Sequence, residues 1–461
     1  MKVTVKDLEE LTSRIGGSVL TSESEEYDAA RSNWELSVVQ KPQVIVVARN
    51  ASDIAEAVRF AKDHGLKVAV KSTGHGAAIP ADDGLLIVVS SMKKVEVDPV
   101  NKTARVEAGA QWIDVLQKAQ DEGLAPLMGS SSDVGAVGYT VGGGMGWLSR
   151  KYGLSVDNVI SLDVVTGTGE ILKASKDENQ DLFWGLCGSG PALGVVTAME
   201  IRLVPVKDVY AGNLIYPREA AKEVFSRYRE WIEDIEDDWS TSIAVANFPP
   251  LPIVPEFLQG MSVVIVRGCY DGPEEKGEEA IRSWTQWKEP MANLFGVIPF
   301  RDSDTISNDP KDPIPASVTN IILTELNDDV FDTMIRRGFP QNEPIPLLFG
   351  EIYHAGGAVE RVDRSSNAYS QRDAKYILKL LGLIPSEEMK LALGEIIEGF
   401  RDELKASSKE GVYLNFLVGS EKWNRTRDAF SQEAFEKLVG LKRRYDPENM
   451  FCFNLNIPLD K

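Results

Sequence analysis

The chain has 461 residues and a formal charge of −20, from 50 basic and 70 acidic side chains. That length provides core for two or three domains. The acidic balance argues against nucleic acid and against an anionic membrane surface as partners, because both need a basic footprint. Cys187, Cys269 and Cys452 are too few and too scattered for a disulfide framework or a zinc site, so no metal is expected. The opening residues lack an apolar signal core, and no run is long enough to span a bilayer. The expected location is therefore the cytoplasm.

Leu8, Leu11 and Ile15 predict a first helix over residues 6–16. Residues 43–48 read as a buried strand. Asn50-Ala51-Ser52-Asp53 is helix-start chemistry, and the helix that follows ends at Gly65. A second strand, Val68-Ala69-Val70, runs into Lys71-Ser72-Thr73-Gly74-His75-Gly76-Ala77. Glycines at a strand end let backbone N–H groups approach a ligand, and such a nest suits phosphates. His75, one of only three histidines, sits in it.

Leu85–Val89 is a further strand, and residues 95–98 and 104–108 alternate like half-buried antiparallel strands. Residues 112–122 are helical. Residues 128–146 form a second glycine-dense zone with apolar flanks, the composition of backbone wrapped around a planar cofactor. Val159–Thr166, a Gly167-Thr168-Gly169 turn and residues 170–173 predict a strand pair. Gly188-Ser189-Gly190-Pro191-Ala192-Leu193-Gly194 approaches a dinucleotide fingerprint. Its last glycine is one position late and a strand follows it, so a nicotinamide-type Rossmann domain is rejected.

Four segments together carry a resemblance. They are Ser72-Thr73-Gly74-His75-Gly76, the run Gly142-Gly143-Gly144-Met145-Gly146-Trp147-Leu148-Ser149-Arg150-Lys151-Tyr152-Gly153 with Asp157-Asn158, Asp181-Leu182-Phe183-Trp184, and the closing residues 441–458. The chain resembles the berberine-bridge-enzyme-like branch of the vanillyl-alcohol-oxidase superfamily, FAD-linked oxidases with a PCMH-type FAD domain. The resemblance implies an α+β protein: a two-part PCMH-type FAD-binding domain plus an α+β substrate domain with an antiparallel sheet. The expected division is 1–206 for FAD, 207–410 for substrate, and 411–461 returning to the FAD domain. In 207–410, strands are expected at 208–216, 240–247, 261–269, 318–325 and 345–354, and helices at 217–235, 273–288 and 386–405.

The resemblance also implies a single covalent link from His75 to the flavin 8α-methyl. Some members carry a second tether through cysteine. Ser131 stands at that place here, and a hydroxyl forms no such thioether. Lys71, Ser72, Thr73, Gly74 and Gly76 are expected at the pyrophosphate, with Ala77 beside them. Ser132, Asp133, Thr140, Gly142, Gly143, Gly146 and Val196 are expected along the flavin, and Asn454 and Asn456 from the C-terminal return. The implied reaction takes hydride from a C–H bearing an alcohol or amine to the flavin, with oxygen as acceptor and a small molecule as substrate. The alternatives are a dehydrogenase with another acceptor and a flavin-loaded binding protein without turnover. In 350–354, Glu351 and Tyr353 share a strand face, and Tyr413 and Asn415 share one in 411–416. The candidate bases, in order, are Tyr413, Tyr353 and Glu351, with Arg372 and Lys375 as cationic neighbours placed by position.

Overall fold

A computed structural model describes residues 3–252, 254–339 and 346–459. Among these residues, three sheets organise the chain. The first combines Ser18–Leu20, Val44–Val47, Leu85–Val88 and Val68–Lys71 in that order. Its last three strands are parallel, and Leu85–Val88 inserts between the other two. Helix Ala51–His64 connects Val44–Val47 to Val68–Lys71. Asn50 caps it by accepting from the Asp53 amide at 3.0 Å, and Gly65 ends it at φ 69°. The second sheet is antiparallel, built from Val95–Asp98, Thr103–Glu107, Val195–Arg202, Val159–Val165 and Ile171–Ser175.

The third sheet has nine antiparallel strands among the described residues. At its centre lie Ser262–Tyr270, Trp239–Asn247, Leu347–His354 and Tyr376–Leu383, side by side. Alternation divides their side chains between two faces. Val266, Ile243, Val245, Ile352, Leu378 and Leu380 pack on one face against Val224, Phe225, Phe331, Met334 and Phe400 from helices Ala221–Glu233, Asp328–Gly338 and Glu387–Glu403. The other face presents Arg267, Glu351, Lys379, Phe349 and Leu381 to a cleft. The antiparallel sheet with helices on one face matches the expected substrate-domain architecture.

Several expectations needed correction. The strand expected at 345–354 begins at Leu347, and residue 345 lies outside the described residues. Strand Tyr376–Leu383 and helix Asp328–Gly338 were not anticipated. Residues 411–416 are not a strand, because Leu414–Phe416 turn in a 3-10 helix. The glycine-dense zone contains a short helix, Ala136–Val141, and a second, Ser149–Tyr152, follows it. No helix among the described residues is long and apolar enough to cross a membrane.

Candidate active site

The cleft runs between the nest after Val68–Lys71, the glycine-dense zone and the open face of the nine-stranded sheet. It encloses roughly 2290 Å³ of empty space, counting its open mouth. The nest is held from behind. The Trp34 amide donates to the Thr73 carbonyl at 3.1 Å, and the Glu35 amide donates to that of Gly74 at 3.3 Å. Gly74 has φ +85°, and a Cβ there would stand 2.7 Å from the Asn33 Cα, so the close approach requires glycine.

The lining suits a large dianionic ligand. The Ser72 hydroxyl oxygen is buried with no partner in the protein. Lys71 donates to the Ser32 carbonyl at 2.6 Å and Lys422 to that of Gly76 at 3.0 Å. Burial pulls both ammonium groups down to about 8. Cations held this way gain from an incoming diphosphate. A Cβ on Gly138 would meet no protein atom within 4 Å, so bare backbone borders the empty space there. Ala77, Val196 and Asn454 also line the cleft. Asn454 clips the C-terminal return to the Val68–Lys71 strand. It accepts from the Val70 amide and donates to the Val70 carbonyl, each at 2.9 Å.

His75 is clamped on three sides. The Trp34 ring stacks on it at 4.3 Å with a 16° tilt. Nδ1 lies 2.8 Å from the Thr73 hydroxyl, and Nε2 lies 3.4 Å from the Asp133 carboxylate. Burial would raise the Asp133 carboxyl. Hydrogen bonds from His75 and Ser131 and the charges of His75 and Lys311 outweigh it, leaving the group at about 2.

Other expected contact residues also bond or pack within the protein. Ser132 donates to Asp304, Thr140 donates back to the Ala136 carbonyl, and Asn456 accepts from Asn449. Gly142 gives room to Asn415, Gly143 to Tyr413 and Tyr369, and Gly146 to the Met128 carbonyl. Of these six, Gly146 borders a smaller cavity beside Tyr353, and none lines the main cleft.

The candidate bases separate clearly. Tyr413 is fully buried, and its oxygen accepts from the Met145 amide at 2.8 Å and from Asn415 Nδ2 at 3.2 Å. Burial pushes its hydroxyl up to about 12. It pins the glycine-rich loop and borders neither cavity. Glu351 and Tyr353 do meet. Tyr353 donates to Glu351 Oε2 at 2.8 Å, and Lys379 Nζ donates to the Tyr353 oxygen at 2.7 Å. Glu351 also accepts from Ser242 and from Arg267, each at 2.7 Å, and Lys379 lies 3.4 Å from its Oε2. Burial would raise the Glu351 carboxyl, but the charges of Arg267 and Lys379 dominate and hold it down at about 2. Burial and the Glu351 charge raise the Tyr353 hydroxyl well above its ordinary value.

Register builds this network. Ser242 stands opposite both Arg267 and Tyr353, and Glu351 stands opposite Lys379. The cation beside Tyr353 is thus Lys379. Arg372 instead forms two bonds with Asp157 and covers the Tyr369 ring. Lys379, Arg267 and Ser242 were not anticipated. A signal existed for the first two, since each is a lone cation in an otherwise apolar strand, YILKLLGL and SVVIVRGCY.

Cleft, nest and clamped imidazole define a flavin-binding protein. Residues 42–175 match the model of an FAD binding domain, and residues 412–458 match that of berberine and berberine-like proteins. An FAD-linked oxidoreductase of Dictyostelium discoideum is 30% identical over 457 residues, covering 97% of this chain and 96% of the relative. The (R)-6-hydroxynicotine oxidase of Paenarthrobacter nicotinovorans is 36% identical over 465 residues, covering 96% and 97%. The glucooligosaccharide oxidase of Acremonium strictum, which carries a 6-S-cysteinyl, 8α-N1-histidyl FAD, superposes with a TM-score of 0.84 at 19% identity over 98% of this chain and 100% of that one. The chain belongs to the berberine-like family of FAD-linked oxidoreductases. It is an enzyme, and its cofactor is FAD.

Proposed function

We propose that the protein is an oxidase that takes hydride from a C–H bearing an alcohol or amine on a small molecule, with dioxygen as the final acceptor. His75 is the single covalent anchor, supported by its place in the cleft and by serine at position 131. The observation that carries the reading is the Tyr353–Lys379–Glu351 cluster, in which Glu351 and Lys379 line the cleft that holds His75 and Tyr353 lines the smaller cavity beside it.

Bound FAD supplies the two-electron acceptor. The Tyr353 oxygen donates one hydrogen bond and accepts one, which leaves a single lone pair for a substrate O–H or N–H. Because burial and Glu351 raise the hydroxyl, tyrosinate is not the resting form. As hydride leaves the substrate carbon, the adjacent O–H becomes that of a protonated carbonyl, a strong acid. The proton then passes to the Tyr353 oxygen while the tyrosine proton moves to Glu351 Oε2. A carboxylate held low by Arg267 is a weak base, so this transfer is late and coupled to hydride departure. Lys379 keeps the developing negative charge on Tyr353 small.

The test is anaerobic mixing with panels of alcohols, amines and sugars, followed by air. A substrate bleaches the visible flavin band, and air restores it with formation of peroxide. Tyr353→Phe should slow the bleaching at least tenfold. Bleaching that only an artificial acceptor reverses would favour a dehydrogenase. A flavin bleached by no candidate would favour a binding protein.

A further inference from the structure

The surroundings of His75 are more specific than a tether needs. A histidine that only packed against a ring edge would need neither a carboxylate facing one ring nitrogen nor a hydroxyl on the other. Here both ring nitrogens are engaged, and by groups of opposite kind. Asp133 Oδ2 stands 3.4 Å from Nε2, and the Thr73 hydroxyl stands 2.8 Å from Nδ1. Asp133 is itself held by Ser131, which donates to its Oδ1 at 2.5 Å, and by Lys311 at 3.6 Å. Lys311 is fixed in turn. It donates to Asp304 at 2.6 Å, and its carbonyl accepts from the Trp34 indole at 2.9 Å, the same ring that stacks on His75.

We infer that Asp133 is the positioning residue for the attachment of His75 to the flavin, keeping the imidazole proton on Nε2 and so leaving the Nδ1 lone pair to make the bond. The inference rests on the tether proposed above. An ionised carboxylate only accepts, so the nitrogen facing it must carry the proton. Nδ1 is then the acceptor, and the Thr73 hydroxyl donates to it as a placeholder that rotates away. In the coupling, a C–N bond forms between Nδ1 and the flavin 8α carbon, and one C–H bond of that methyl breaks. The released proton ends on a ring nitrogen of the flavin with the two electrons. Dioxygen later removes that pair, giving peroxide. The imidazole becomes cationic as the bond forms, and Asp133 stands where it offsets that charge.

The experiment uses the full-length protein produced under riboflavin limitation and then supplied with FAD. Two quantities are followed: total flavin per polypeptide before denaturation, and flavin fluorescence retained on the denatured chain with time. Asp133→Asn should bind FAD yet couple at least tenfold more slowly. Asp133→Glu should recover most of the rate. NMR of the flavin-bearing peptide should place the link at Nδ1. Coupling of Asp133→Asn at the wild-type rate, a link at Nε2, or loss of FAD binding in both Asp133 variants would each overturn the positioning role while leaving the tether standing. A wild-type chain that never retains flavin after denaturation would overturn the tether and this inference together.

Discussion

Glu351 is the sharpest place to test the sheet-face network. It is 1% exposed and holds two cations, Arg267 and Lys379, with the aid of Ser242. Glu351→Gln preserves shape and one acceptor oxygen but leaves the buried Arg267 guanidinium without a counter-charge. The depression of this carboxyl from 4.5 to about 2 corresponds to about 3 kcal/mol, at roughly 1.4 kcal/mol per tenfold in proton affinity. Removing one partner of a buried ion pair independently costs about 3–5 kcal/mol. The variant should therefore unfold at clearly lower denaturant concentration, measured with FAD bound and by two probes, since a chain of this size need not unfold in one step. Replacing Arg267 and Glu351 together with Met and Leu should restore much of that loss, because two apolar groups leave no unpaired charge. Activity separates from stability here, since the double variant should still turn over at least tenfold more slowly. Wild-type stability in Glu351→Gln would refute the reasoning, and so would a double variant less stable than the single.

Two further outcomes follow from the same geometry. Tyr413→Phe removes the acceptor of the Met145 amide, so it should destabilise by about 1–2 kcal/mol in a denaturant titration while lowering turnover much less than Tyr353→Phe. The acid limb of stability should come from Glu351 and Asp133, both held at about 2 in the folded chain. Depressed carboxyls stabilise fully above their unfolded values, so that contribution should be complete above about pH 5 and lost as pH falls toward 2, read as a falling unfolding midpoint across that window.

The local signals in this sequence were reliable where a few neighbouring residues decide the outcome. Asn50 and Gly65 bracket a helix because capping is local chemistry. The nest from Lys71 to Ala77 borders the cleft because its glycines and the strand before it are contiguous. The pairing of Glu351 with Tyr353 was legible because alternate residues on a strand share a face. Local reading failed where backbone is bent by distant packing. Tyr413 was assigned to a strand, whereas the chain turns at Leu414–Phe416 and Asn320 holds it through the Tyr413 amide and carbonyl. The resemblance placed glycines 142, 143 and 146 along the flavin, and in the fold Gly142 and Gly143 also give room to Asn415 and to Tyr413 and Tyr369.

The sequence by itself determined the family, the flavin and the imidazole at the strand end, since each is carried by residues adjacent in the chain. Tertiary structure alone decided which cation serves Tyr353 and which carboxylate faces His75. Lys379 reaches that tyrosine through strand register, and Arg267 joins from two strands away. Asp133 meets His75 because two separate glycine-rich segments converge on one cleft. Register and convergence are set by the burial of whole faces, and no short window of residues contains that information.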